Sequence, residues 1–122
     1  IEKINARRLD DLIRTNLLPA FDPTPNLVVV DISFISLTLV LPAVINSVAD
    51  NSEFIVLVKP QFELGPKALN KRGIVSDNRI RIKALEKITS FCRDHKMKVL
   101  NSAQSPIKGG DGNVEYILHF KS

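Results

Sequence analysis

The sequence has a single cysteine, Cys92, among 122 residues. One thiol excludes an internal disulfide and a thiolate metal cluster, and it fits a reducing compartment such as the cytoplasm. Long hydrophobic runs are missing too. The most apolar stretch, Leu37 to Val48, is interrupted by Thr38, Pro42, Asn46 and Ser47, whereas a membrane helix needs roughly 20 apolar residues in succession. A buried helix is expected there, and no insertion into a membrane. Repeats and low-complexity tracts are absent. The balance of 44% hydrophobic and 25% charged residues excludes intrinsic disorder and collagen-like sequence. Neither sign of charge dominates, since 17 Lys and Arg face 13 Asp and Glu for a net charge of +4. That excess is compatible with a nucleic-acid partner without requiring one. The length suits one domain. Because the chain opens on Ile1 without Met or a signal-like segment, it is expected to be a piece of a longer protein.

The pattern predicts an α/β fold. Leu27 to Asp31 and Phe54 to Lys59 are short β-branched runs of the kind found in strands buried on both faces. A helix-like segment to about Val48 joins them, its regular part shortened by Pro42, which makes a parallel βαβ unit. A short helical turn is expected earlier, at Ala6 to Ile13. A long connection, Pro60 to Asp77, is broken by Gly65, Pro66 and Gly73. Asn78 to His95 is an amphipathic helix with Ala84, Leu85, Ile88, Phe91 and Cys92 on one face and Arg79, Lys83, Glu86 and Lys87 opposite. Met97 to Leu100 is a third strand. After a loop from Asn101 to Asn113, a last strand, Glu115 to Phe120, is expected to run antiparallel because only a loop precedes it. The sum is half of a doubly wound sheet.

Ligands of open parallel sheets gather beyond the carboxyl ends of the strands. Asp31 ends the first strand, Lys59 ends the second, and Glu115 begins a strand running the opposite way. Topology therefore brings these three residues to one rim. Each alone has a simpler reading: Asp31 as a helix cap, Lys59 as a snorkelling side chain, Glu115 as an edge-strand charge. Their coincidence on one rim favours a site. His95 and His119 have no partners at ligand spacing, so no metal site is expected.

Three motifs then align in order: Asp31-Ile-Ser-Phe-Ile-Ser-Leu-Thr-Leu-Val-Leu-Pro42, Val58-Lys-Pro-Gln-Phe-Glu63, and Ser105-Pro-Ile-Lys-Gly109 running on to Gly112-Asn-Val-Glu115. Together they resemble the TlyA-type, hemolysin A-like family of FtsJ-like ribosomal RNA 2′-O-methyltransferases. The resemblance implies that residues 1–122 are the C-terminal part of a methyltransferase domain, half of a Rossmann-like fold with a mostly parallel sheet and an antiparallel last strand. It implies S-adenosylmethionine as cofactor and ribosomal RNA or a ribosomal subunit as partner. Asp31, Lys59 and Glu115 match the last three members of the family's Lys-Asp-Lys-Glu tetrad. Asn5, in Asn5-Ala-Arg7, and Asp31 would bind the cofactor. The family's Lys-Gly-Gly-Val-Val appears here as Lys71-Arg-Gly-Ile-Val75, and its usual His is replaced by Arg in the region of Arg79 to Arg81. These departures bear on substrate choice and loop geometry.

In the implied reaction a ribose 2′-hydroxyl, a poor nucleophile, attacks a sulfonium methyl. Neutral Lys59 could take the hydroxyl proton; a charged Lys59, held between Asp31 and Glu115, could instead donate to the developing alkoxide. Both roles stay open at this point. Asp31 is assigned to cofactor placement and to holding Lys59, because an anion beside a sulfonium favours the ground state. Lys67, Lys71, Arg72 and Lys108 are candidate RNA-phosphate contacts, against the alternative of a solvated basic loop. Phe62 could stack on a base or pack beneath its own loop. The competing functions are a non-catalytic RNA-binding module and a membrane-active hemolysin. A fragment of this kind would be inactive alone and would self-associate through an exposed sheet edge or apolar surface.

Overall fold

The computed structural model describes residues 25–122; Asn5 and the turn expected at Ala6–Ile13 lie outside the described residues. Four strands form one sheet in the order β1-β2-β4-β3: β1 (Leu27–Val30), β2 (Glu53–Val58), β3 (Lys98–Gln104) and β4 (Tyr116–Lys121). β1 and β2 are parallel, with Val30 opposite Val56. β4 runs antiparallel to both β2 and β3. The expected α/β order and the reversed last strand are both present.

The helices α1 (Leu37–Asn46) and α3 (Asn78–Asp94) cover the same face of this sheet. Leu37 and Leu41 of α1 and Ala84, Ile88 and Cys92 of α3 pack on Phe54, Val56, Val58, Tyr116, Leu118 and Phe120. Phe54 and Phe120 are register partners whose rings stack at 4.8 Å and 3°. With both helices on one side, the strands alternate rather than being buried on both faces as their β-branched runs predicted. Val30 is buried while Val29 is 70% exposed, and Ile55 is 37% exposed between buried Phe54 and Val56. Continuous apolarity in a strand therefore says that both faces can be covered, not that both are.

Local chemistry explains the remaining boundaries. Ser36, not Asp31, caps α1, its hydroxyl accepting from the Thr38 amide. Pro42 lies inside α1 rather than shortening it. The roughly 3 kcal/mol that an interior proline costs is offset by burial of Leu37, Val40, Leu41 and Ala43. The connection after β2 is more regular than its Gly and Pro content predicts. It opens with the single-turn helix α2 (Pro60–Glu63), started by a proline at N1, and continues into a 3₁₀ turn at Pro66–Ala68. Asp77 caps α3 by accepting from the Arg79 amide at 2.8 Å, and that bond holds its carboxyl below the usual range. β3 extends to Gln104, beyond the expected stop at Leu100. Asn101 to Gln104 lack strand-forming character, but β4 supplies them with partners after an irregularity between Val99 and Asn101.

Candidate active site

The ends of β1 and β2 and the start of β4 meet on one rim, since Val30 is opposite Val56 and Val58 opposite Tyr116. Asp31, Lys59 and Glu115 lie one residue beyond those positions. All three line one cavity of about 680 Å³. The topological convergence expected from sequence is present.

Their pairing differs from the expected arrangement. Lys59 Nζ lies 2.5 Å from Asp31 Oδ1 and 3.2 Å from Ser33 Oγ. Its side chain is 12% exposed, against 62% for Asp31. Glu115 is buried and bonds elsewhere, its Oε2 accepting from Gln61 Nε2 at 2.9 Å. Lys59 is thus not clamped between two carboxylates. The short helix α2 aims Gln61 at Glu115 and leaves Lys59 to Asp31. Gly109 lets its loop close over Glu115, for a Cβ there would collide with the Glu115 carboxylate.

Two further residues shape the site without carrying charge. Asn113 is buried; its Oδ1 accepts from the Val75 amide at 3.0 Å, and its Nδ2 donates to the carbonyls of Gly73 and Gly110 at 3.0 and 3.2 Å. It ties the loop after α2 to the loop before β4. Phe34, 78% exposed with φ of +65°, meets Phe62 at 4.8 Å with a 50° tilt, and both rings line the cavity. Phe62 therefore packs against a second aromatic at the mouth. Gln61, Asn113, Ser33 and Phe34 were missed in the sequence because none is ionisable. Gln61 and Asn113 each lie two residues from a candidate charge and inside the motifs quoted above, signals that could have drawn attention to them.

Of the basic candidates, Lys108 lines the cavity. Lys67, Lys71 and Arg72 are exposed on the loop whose Leu69 and Gly73 line it. Among the described residues there is no cluster of three or more His, Cys, Asp or Glu that could hold a metal ion. No described helix is long and apolar enough to cross a membrane.

The residues present fit a cationic adenosyl cofactor. The volume is within the range of about 300–1,000 Å³ typical of small-molecule sites. Walls from Phe34, Leu57, Leu69 and Ile107 suit a flat ring, and the exposed Asp31 carboxylate suits a positive centre. Gln61 Oε1 is buried without a hydrogen-bond partner, which makes it an acceptor for a ligand donor.

The sheet is of the α/β class, with a candidate ligand site where charged residues converge at its strand ends. The chain belongs to the FtsJ-like methyltransferase family, whose model matches residues 1–122. It is 33% identical over 122 residues to the 16S/23S rRNA (cytidine-2′-O)-methyltransferase TlyA of Mycobacterium tuberculosis, covering 100% of this chain and 43% of that protein. It is 38% identical over 99 residues to Hemolysin A of Brachyspira hyodysenteriae, covering 81% of this chain and 41% of that one. Two solved proteins that carry the name hemolysin share the fold. The one from Streptococcus thermophilus superposes with a TM-score of 0.85 at 36% identity, covering all of this chain and 42% of its own. The one from Lactococcus lactis gives 0.84 at 33% identity, with 99% and 55% covered. The chain thus spans less than half the length of these curated relatives.

Proposed function

We propose that residues 1–122 are the C-terminal part of an S-adenosylmethionine-dependent methyltransferase domain, and that the full-length protein methylates ribose 2′-hydroxyls of ribosomal RNA in the cytoplasm. The observation that supports this most is the Lys59–Asp31 pair, 2.5 Å apart on the rim of a cavity shared with Glu115, in a member of the FtsJ-like family. S-adenosylmethionine, when bound, supplies an electrophilic methyl group. Lys59, ion-paired with Asp31, orients the 2′-oxygen by donating to it and stabilises the alkoxide character that develops there. The 2′-oxygen would gain the methyl group as the bond from that methyl to the sulfonium sulfur breaks, leaving a neutral thioether, and the hydroxyl proton would pass to water at the open rim. Asp31 holds Lys59 and places the cofactor, together with Asn5. Glu115, fixed by Gln61, orients the ribose. Lys67, Lys71, Arg72 and Lys108 hold RNA phosphates.

The 122-residue chain alone is expected to be inactive and to bind the cofactor weakly, and it self-associates through its open sheet face or β1 edge. The test uses full-length protein with radiolabelled S-adenosylmethionine and ribosomal subunits. Lys59→Ala should lower the methylation rate by about 10²–10³-fold while cofactor affinity changes little. Unchanged turnover removes Lys59 from the mechanism. Full-length protein that binds RNA but not S-adenosylmethionine favours the non-catalytic reading, and lysis of erythrocytes without methylation favours the membrane-active one.

A further inference from the structure

Glu63 closes the Lys59-Pro-Gln-Phe-Glu63 stretch and yet does not line the cavity. Its side chain is 2% exposed. A carboxylate so buried is strongly unfavourable unless it is paired and hydrogen-bonded. Glu63 Oε1 accepts from the Leu37 amide at 2.8 Å. Its Oε2 accepts from Ser36 Oγ at 2.6 Å and from Lys87 Nζ at 3.2 Å. Lys87 Nζ also donates to the Glu63 carbonyl at 2.8 Å. One carboxylate thus joins the start of α1, the end of α2 and the middle of α3. Lys87, which the sequence placed on a plain solvent face, has a buried partner.

The two joined loops each carry half of the candidate site. Ser36 ends the segment that begins at Asp31 and includes Ser33 and Phe34. Glu63 ends the segment that begins at Lys59 and includes Gln61 and Phe62. At the cavity these segments touch through the Asp31–Lys59 pair and the Phe34–Phe62 rings. An ion pair with so exposed a carboxylate contributes little to holding two loops together. The buried group behind them does not share that weakness.

We infer that Glu63, with Ser36 and Lys87, is a positioning clamp that sets the spacing of segments 31–36 and 59–63 and thereby the placement of Lys59 against Asp31. Its catalytic consequence rests on the methyltransferase reading; its structural half does not. A purely stabilising role is separable, because replacing both members of a buried ion pair is often neutral for stability.

The test compares Glu63→Leu with the double variant Glu63→Leu/Lys87→Met in full-length protein, since leucine removes the bonds to Leu37 and Ser36 that glutamine would keep. The single variant is expected to melt at a lower temperature, and the double to recover the wild-type value. In the double variant, amide hydrogen exchange should still be about tenfold faster in segments 31–36 and 59–63, with β2 and β4 protected as in wild type. Methylation by the double should show kcat lowered about tenfold with KM for RNA within about twofold. Lys87→Met, which removes one donor to Glu63 and leaves the Ser36 cap of α1 in place, should give the same pattern at smaller amplitude and serves if the double variant does not fold. Unchanged exchange in both segments overturns the clamp, whether or not the protein methylates RNA. Faster exchange with wild-type kcat overturns the positioning role. An inactive wild-type protein overturns the proposed function, while the exchange result still decides the clamp.

Discussion

Gln61 Nε2 donates to Glu115 Oε2 at 2.9 Å, and this bond occupies the place that charge alone would have given to Lys59. An ionised carboxylate accepts only, so the bond also fixes which way the Gln61 amide points. Replacing Gln61 by Leu leaves a buried carboxylate without its donor. Gln61→Leu should therefore lower unfolding stability by about 1–3 kcal/mol, measured by urea denaturation. A midpoint equal to wild type would mean that water satisfies Glu115 as well as Gln61 does.

Gly109 is set by the same carboxylate. Its Cβ position is filled by Glu115, so Gly109→Ala must displace either the loop or the side chain. Overpacking of this kind costs typically about 1–3 kcal/mol. In a Glu115→Ala background the obstacle is gone, and the same substitution should cost much less. A double-mutant cycle on thermal unfolding checks this. Equal costs in the two backgrounds would show that Glu115 is not the obstacle, since the Gly109 backbone, with φ of −76°, is open to any residue.

The sequence carried the order of elements, the strand directions and the rim, because these follow from connectivity; it did not carry the insertion of β4 between β2 and β3. A βαβ unit is parallel, a loop-joined strand turns back, and Asp31, Lys59 and Glu115 fall at the resulting edge. What it did not carry was decided by packing and by uncharged groups. That α1 and α3 share one face left Val29 and Ile55 exposed, and no local pattern distinguishes that from a covered strand. The strand character of Asn101 to Gln104 came from β4 as a partner, against their own propensity. In the site, Gln61 and Asn113 act through amides whose partners are distant in sequence. Their roles exist only once the loops have closed.

Cys92 is buried in the core, and burial pushes its thiol up to about 12 from 9.0. The folded protein therefore keeps its proton where the unfolded chain loses it. Between those values the unfolded state binds fewer protons, so stability falls as pH rises from about 9 towards 12 and is unaffected by this group below 9. Cys92→Ala should flatten that part of the stability–pH curve while lowering its plateau through the cavity left behind. Thiol labelling of wild type at pH 8 should follow global unfolding. Rapid labelling under native conditions would place the sulfur at the surface.

One side of the sheet is uncovered at its β1 edge. Among the described residues β1 pairs with β2 alone, so one row of its backbone donors and acceptors has no strand partner. No proline or charge interrupts Leu27–Val30, and such features are what normally discourage strand addition at an edge. The adjoining face presents Leu27, Val29 and Ile55 to solvent. Apolar area of this kind gains about 25 cal/mol per Å² when buried. A second copy can cover both the edge and the face through a two-fold axis, because each copy supplies the same patch. The isolated 122-residue chain should therefore sediment as a dimer at high concentration, and Val29→Lys should shift it to monomer, with its melting temperature unchanged when both proteins are dilute enough to be monomeric. A wild-type chain that sediments as a monomer at millimolar concentration would rule the dimer out.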